Sequence, residues 1–402
     1  MEGVAVMDSI HEVSIPVGTL SLVGMKGCEE VAEKVDAYLA DWRNQRHGEL
    51  MTDGDFIGYC RDTYQLKAVC PRFGTGEAKG TIKESVRGHD LFILVDCFNY
   101  GVKYKMYGNE VPMSPDDHYQ DLKRVIASAS GKARRINVIM PMLYEGRQHK
   151  RSSRESLDCA LMLQELTAMG VDNIITFDAH DARVQNAIPL KGFENVQPTY
   201  QFLKALVKNV PDIEFDRERI MIISPDEGGM SRCMYYSSVL GVDLGMFYKR
   251  RDYSVIINGR NPIVAHEFLG TDVAGKDLII VDDMISSGES VLDIGEKLKA
   301  KGANRIFVCT TFGLFTDGLE KFDLAYEKGY ITKVFTTNLI YRTPELLERE
   351  WYGEVDLSKY IAYIVDNLNH DQSISNLLNP VHRINKLMEK NREGKVEQQM
   401  KF

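Results

Sequence analysis

Short apolar runs recur along the chain, and several end abruptly at charged or small polar residues. The run "DLIIV" (Asp277–Val281) is followed by Asp282 and Asp283, then by Ser286-Ser287-Gly288. Beyond it, "ESVLDIGEKLKAKGAN" spaces Val291, Ile294 and Leu298 for one helical face, places its lysines late and reaches Gly302, the pattern of an amphipathic helix stopped by glycine. "RIFVCTTF" (Arg305–Phe312) has strand character, so Asp277–Phe312 predicts a strand, helix and strand crossover, which implies a parallel sheet. An earlier stretch repeats the plan, with a strand at Arg135–Leu143, a helix at Glu155–Gly170 and a strand at Asn173–His180. The likeness of "AMGVDNIITF" to "AKGANRIFVC" suggests a duplicated unit. Further strands are predicted at Asp90–Asp96, Arg219–Asp226 and Asp243–Lys249. The alternation gives an α/β class, two similar domains with parallel sheets. Asp41–Pro71 is polar without a clear period, and the C-terminal "NREGKVEQQMKF" is charged; both read as additions to the α/β body.

Composition narrows the class. At 402 residues and 44% hydrophobic content the chain can support two or three cored domains. Its apolar runs fall far short of the roughly 20 residues of a membrane helix, and the N-terminus lacks a basic region followed by an apolar core, so the expectation is a soluble, cytoplasmic protein with no membrane partner. Seven cysteines are scattered without CxxC or Cys/His spacing and signal neither a zinc site nor a disulfide framework. A net charge of −9 without a long basic block argues against nucleic acid as a partner.

In open parallel sheets ligands bind beyond the carboxyl ends of strands. The residues at those ends form a set: "YEGRQHKR" after Arg135–Leu143, Asp178-Ala179-His180-Asp181 after "IITF", Ser224-Pro225-Asp226-Glu227-Gly228-Gly229 after "RIMII", and "YKRRDY" after "DLGMF". Asp282 and Asp283 suit either a capped turn or a phosphoribosyl site, in which small residues wrap a phosphate and the carboxylates take sugar hydroxyls. His180 with Asp226 could share a divalent ion that also binds nucleotide phosphates. Lys249 and Arg251 either solvate a surface or neutralise a transferring phosphoryl group; Arg147 and Gln148 either hold a nucleotide or solvate a loop.

The ordered motifs "ESVRGHDLFIL", "GRQHKRSSRES", "GVDNIITFDAH", "ISPDEGGMSR", "YKRRD", "LIIVDDMISSGES" and "NHDQSISNLL" resemble the ribose-phosphate pyrophosphokinase family from about Leu20 to Leu378. The resemblance implies type I phosphoribosyltransferase-like domains at 15–200 and 201–378, followed by a tail at 379–402. It implies a ribose-phosphate diphosphokinase with ATP and ribose 5-phosphate as substrates, Mg2+ as cofactor and a homo-oligomer. Residue by residue it assigns Lys249 and Arg251 to transition-state stabilisation, and His180 and Asp226 to the metal and triphosphate. Phe73, Glu77, Arg147 and Gln148, with His180, fall to the nucleotide, in a site that a neighbouring subunit completes. Asp282 and Asp283 go to the ribose hydroxyls, and Ser286, Ser287, Gly288, Glu289 and Ser290 to the 5-phosphate. Departures are Thr75 and His149 where the family commonly has Asp, Ser286 for a frequent Asp, Glu289 for Gly, and extra residues at Asp41–Pro71 and Asn99–His118. A type I phosphoribosyltransferase and a catalytically silent regulatory homologue are the alternative readings.

Overall fold

The structure, a computed structural model, describes residues 15–50, 58–129, 131–251 and 263–399. In chain order come β1 (Thr19–Gly24), α1 (Glu29–Leu50), β2 (Ala68–Val69), β3 (Thr81–Ile82), β4 (His89–Leu94), β5 (Lys103–Met106), β6 (Asn109–Pro112), α2 (Pro115–Ala129), β7 (Arg135–Ile139), α3 (Asp158–Ala168), β8 (Asn173–Phe177) and β9 (Gly192–Val196). There follow α4 (Thr199–Asn209), β10 (Ile220–Ser224), α5 (Met230–Leu240), β11 (Asp243–Arg251), β12 (Ile263–Leu269), β13 (Asp277–Ile285), α6 (Glu289–Ala300), β14 (Ile306–Gly313), α7 (Glu320–Glu327), β15 (Lys333–Thr337), α8 (Pro344–Leu347) and β16 (Tyr352–Val355). The chain closes with α9 (Ser358–Asn369), α10 (Ser375–Leu378) and α11 (Val381–Gln399). Among the described residues no helix is long and apolar enough to cross a membrane.

The chain divides into two compact units: residues up to Val196 together with Leu357–Leu378, and Gln197–Asp356 together with the residues from Asn379. The first holds a five-stranded sheet in the order β1-β4-β7-β8-β9, parallel throughout. The second holds a seven-stranded sheet in the order β12-β11-β10-β13-β14-β15-β16, parallel except for the β11–β12 pair. The parallel α/β class expected from the alternation is thus present, with different strand orders in the two sheets. The repeated junction also has a physical counterpart. Gly170 and Gly302 adopt φ of +95° and +87°, and the next residue's N–H returns to the carbonyl five residues back, Val171 to Leu166 and Ala303 to Leu298, both at 3.1 Å. This is the Schellman stop, which favours glycine because it carries no Cβ.

Three expectations about the ends and additions are corrected. Asp41–Leu50 is no aperiodic insertion; it continues α1, and Tyr38, Trp42 and Arg46 recur at helical spacing on one side of it. Trp42 stacks on Tyr363 of α9 at 4.4 Å, and Arg43 is buried, donating to Asp366 (3.1 Å) and Asn369 (2.7 Å). The pattern misled because a buried arginine reads as a solvent-facing residue. Of the rest of that stretch, residues 51–57 lie outside the described residues. Leu357–Leu378, expected with the second domain, belongs to the first unit, since Asn369 donates to buried Asp90 of β4 (2.9 Å) and Arg135 of β7 donates to the Leu368 carbonyl (2.6 Å). The expected tail forms α11, which buries Ile384 and Met388 one turn apart within the second unit; Met400–Phe402 lie outside the described residues.

Burial opposes the charge on Asp366, yet Arg43 and Arg46 beside it outweigh that cost and hold its carboxyl below the usual range. Its contribution to stability is present above the ordinary carboxylate pKa and is lost as pH falls through the lowered value. Arg43→Ala removes one of the two guanidiniums that hold that buried carboxylate and leaves Arg46 at 2.6 Å. Urea unfolding at neutral pH should show the first unit losing about 1.5–3 kcal/mol with those charge-assisted hydrogen bonds, and a loss under about 0.5 kcal/mol would refute the pairing.

Candidate active site

The second sheet reverses direction between β10 and β13. From β10 the chain adds β11 and β12 on one side; from β13 it adds β14, β15 and β16 on the other. At such a reversal the connections leave in opposite directions and a crevice opens at the carboxyl ends of the two central strands. Asp226 and the Asp282–Asp283 pair stand there. The Ser224 hydroxyl donates to the Asp226 carbonyl (2.7 Å), tightening the turn off β10, and the Asp226 carboxylate accepts the Gly229 N–H (3.1 Å) just ahead of α5.

The acidic pair lies within β13 rather than after it, because β14 continues alongside and sustains the ladder as far as Ile285 and Gly313. The Asp282 carboxylate accepts the Asp283 N–H (2.9 Å) and lies 3.8 Å from the Arg232 guanidinium in the first turn of α5. Burial and the neighbouring Asp283 carboxylate push the Asp282 carboxyl well above its ordinary range, and Arg232 offsets only part of this. In register with Asp282 on β14, Thr310 is buried and its hydroxyl has no partner. Neither Arg232 nor Thr310 stood out in the sequence. Arg232 sits in the quoted "ISPDEGGMSR", but only the fold turns it towards β13.

Ser286, Ser287 and Gly288 form the turn from β13 into α6. Gly288 has φ of +83° and packs so closely on the Phe322 ring that a Cβ would collide with it. The helix starts with no side-chain cap, and Ser287 Oγ reaches only the Glu289 N–H, at 3.4 Å. An uncapped helix start of this kind offers backbone N–H groups to an anion. Glu289 and Ser290 are exposed at its first turn, and the Glu289 carboxylate accepts from Lys321 of α7 (3.1 Å), which also binds Asp317 (3.2 Å). The extra carboxylate of this loop is therefore already engaged by a cation.

The first unit gathers a second group beyond β7 and β8. Asp178 leaves β8 with φ of +42°, and the chain runs on through exposed His180 to Asp181. His149 lies 3.5 Å from Asp181, and its ring is 5.3 Å from that of His180, so the Arg147-Gln148 loop and His180 meet through His149. Gln148 is fixed by donating to the Ser156 carbonyl (3.0 Å), while Arg147 is exposed. Burial lowers the His149 pKa, with His180 and Lys150 adding to the effect and Asp181 opposing it, and its Nδ1 is buried without a partner. Hydrogen bonds from Arg183 hold the Asp181 carboxyl far below its ordinary range.

Phe73 and Glu77 close a separate tight loop, in which the Phe73 N–H donates to the Glu77 carbonyl (2.7 Å) and the Thr75 hydroxyl to the Glu77 carboxylate (2.9 Å). The backbones of Lys249 and Arg251 end β11, opposite His266 and Ile263 of β12; their side chains lie outside the described part. His180 belongs to the first unit and Asp226 to the second, and among the described residues no group of three or more His, Cys, Asp or Glu is placed to hold a metal ion.

A parallel sheet with this reversal, an acidic pair at its centre and a small-residue turn into an uncapped helix define a phosphoribosyltransferase-like α/β protein. The model of the N-terminal domain of ribose phosphate pyrophosphokinase matches residues 20–170, and that of the phosphoribosyl synthetase-associated domain matches residues 256–379. The ribose-phosphate pyrophosphokinase of Bradyrhizobium diazoefficiens is 30% identical over 256 residues, covering 63% of this chain and 72% of the relative; that of Vibrio cholerae is 27% identical, covering 78% and 91%. The crystal structure of phosphoribosylpyrophosphate synthetase from Mycobacterium smegmatis covers 88% of this chain and 99% of its own at a TM-score of 0.68 and 20% identity, a likeness of fold. The chain belongs to the ribose-phosphate pyrophosphokinase family.

Because the Asp282 pKa is raised, its ionisation costs stability once pH passes the ordinary carboxylate value near 4. Asp282→Asn removes that cost. In calorimetric melts of the ligand-free chain the variant should melt above wild type at neutral pH, with the difference shrinking towards about pH 4; a lower melting point at neutral pH would contradict the assignment.

Proposed function

We propose that the chain is a ribose-phosphate diphosphokinase, moving the pyrophosphoryl group of ATP to the anomeric hydroxyl of ribose 5-phosphate to give phosphoribosyl pyrophosphate and AMP. The observation that carries this reading is the β10–β13 crevice, with Asp282–Asp283 beside the uncapped start of α6. The turn Ser286–Ser290 holds the 5-phosphate on backbone N–H groups, and the acidic pair takes the ribose hydroxyls. A hydroxyl that donates to Asp282 relieves the repulsion between the two carboxylates, so the site is strained without sugar and eased with it. Arg147, Gln148 and His180 bind the nucleotide, joined by Phe73 and Glu77 from a neighbouring copy of this chain.

Asp226 would supply a carboxylate oxygen, which suits a hard divalent ion keeping water and phosphate oxygens as its other ligands, and His180 is assigned to the metal and triphosphate on the resemblance alone, its imidazole being a softer donor; Mg2+ is the ion we assign. When bound, it neutralises charge on the phosphates. Lys249 and Arg251 are the residues we assign to neutralising the charge that develops at the transferring phosphorus. Positioning and neutralisation suffice for this chemistry, so no fixed general base is required. Retention of "FDAH", "RQ" and "SPDEGG" favours synthesis of phosphoribosyl pyrophosphate over its use by a transferase, which needs no triphosphate site.

Phosphorus NMR of the chain with ATP, Mg2+ and ribose 5-phosphate should show AMP and phosphoribosyl pyrophosphate appearing together. No diphosphoryl transfer from any nucleoside triphosphate would defeat the reading. Lys249→Ala should lower kcat by about 10³-fold or more; near-normal turnover removes Lys249 from its role. Lys321→Ala frees the Glu289 carboxylate to oppose the phosphate. The ribose 5-phosphate KM should rise by roughly twofold to fivefold, as befits an exposed pair, and Glu289→Gln in the same chain should reverse the change.

A further inference from the structure

We infer that the β5–β6 hairpin, which fills the extra Asn99–His118 segment, is a positioning element for the base-reading end of the nucleotide site; this rests on the assignment of Phe73 and Glu77 to that site. The hairpin has two distinct faces. Lys103 and Lys105 are exposed, while Tyr104 and Met106 are half-buried on the opposite side, as strand alternation requires. Its tip, Tyr107-Gly108, has positive φ at both residues, +48° and +81°, the two-residue turn that matches strand twist.

That inner face meets the Phe73–Glu77 loop at successive points. The Tyr107 N–H donates to the Gly74 carbonyl at 2.8 Å, next to Phe73. Met106 Sδ and the Tyr104 ring lie 3.0 and 3.5 Å from where a Cβ on Gly76 would stand, one residue from Glu77. The Arg72 guanidinium, at the base of the loop, lies 4.7 Å over the Tyr104 ring and donates to Asp121 of α2 at 2.7 Å. The hairpin is itself tied down: the Met113 N–H donates to the Val102 carbonyl (2.8 Å), and buried His118 bonds the Asn99 carbonyl (2.9 Å).

Pro71 and Arg72 also border a cavity of about 690 Å³ at the carboxyl end of β1, and Tyr104 of the hairpin lines it with them. The hairpin supplies contacts that hold the loop. A loop held in its binding conformation loses less freedom when a ligand arrives and binds it more tightly. Phe73, 56% exposed, is held out for contact by this support.

The test uses the full chain, with ATP binding measured by calorimetry and initial rates measured while ATP and ribose 5-phosphate are varied separately. Tyr104→Ala and Met106→Ala should each raise the Kd and KM for ATP, roughly tenfold for Tyr104, with the KM for ribose 5-phosphate held within about twofold. Tyr104→Phe keeps the ring and should behave as wild type. Folded variants with unchanged ATP affinity overturn the inference, as does a parallel loss for both substrates, which marks general destabilisation. Met106 is a half-buried residue on a surface hairpin, so its variant keeps the test open if Tyr104→Ala fails to fold. If the variants weaken ATP binding but wild type makes no phosphoribosyl pyrophosphate, the reaction assigned above fails and the positioning role stands.

Discussion

A parallel sheet cannot reverse its winding without leaving its two central strands with diverging connections, and the second unit is organised around that constraint. β10 and β13 are neighbours in the ladder, yet the chain leaves them for opposite edges of the sheet. What each strand end carries is set by the space this creates. β10 delivers Asp226 and the start of α5 with Arg232; β13 delivers the acidic pair and the uncapped start of α6. The core beneath, from Met221 and Ile223 through Leu278 and Ile280 to Val308, holds those ends apart. Close packing makes such a core a stiff support for charged groups.

The acidic pair shows what that stiffness is for. Two carboxylates at adjacent positions of a buried strand repel each other, and a softer scaffold would relieve the repulsion by moving. Here Asp282 is kept beside Asp283, Arg232 compensates only partly, and Thr310 leaves a buried hydroxyl unused. Stability is given up at this strand end, at a carboxyl group whose neighbours answer its charge only in part. Glu289 follows the opposite course: its charge is turned to Lys321, so the neighbouring turn keeps its appeal for an anion.

Most of the strand ladder was legible in the sequence because buried parallel strands read as unbroken apolar runs. "DLIIV", "RINVI" and "NIITF" fall in β13, β7 and β8, and Gly170 and Gly302 announced the helix stops. His149 approaches Asp181 and His180, so the loop that carries Arg147 and Gln148 comes near His180, a proximity that the sequence does not show. Illegible were the features that depend on polar residues going inside. Arg43 and Asp366 look like solvent residues until their pairing is known, so the far half of α1 and the return of α9 could not be read. Arg232 and Thr310 acquire meaning only from the strand they face, and hairpin β5–β6 carries its message in a contact with a loop some thirty residues away.

The return of α9 also matters for how the chain is made. Asp90 and Arg43 are buried, and each takes Asn369 as a partner; none of the residues that complete this network exists when a ribosome has finished only β9. The second unit is, in sequence, an interruption of the first, and at ordinary rates of synthesis the intervening segment takes roughly 10–30 s to emerge. During that interval Asp90 has Arg135 and Asn137 as partners, but Arg43 waits without Asp366 and Asn369, open to chaperones and proteases. The second unit has its own core and, apart from α11, can settle before its host does. Translation speed across residues 197–356 thus becomes a variable in the yield of folded protein.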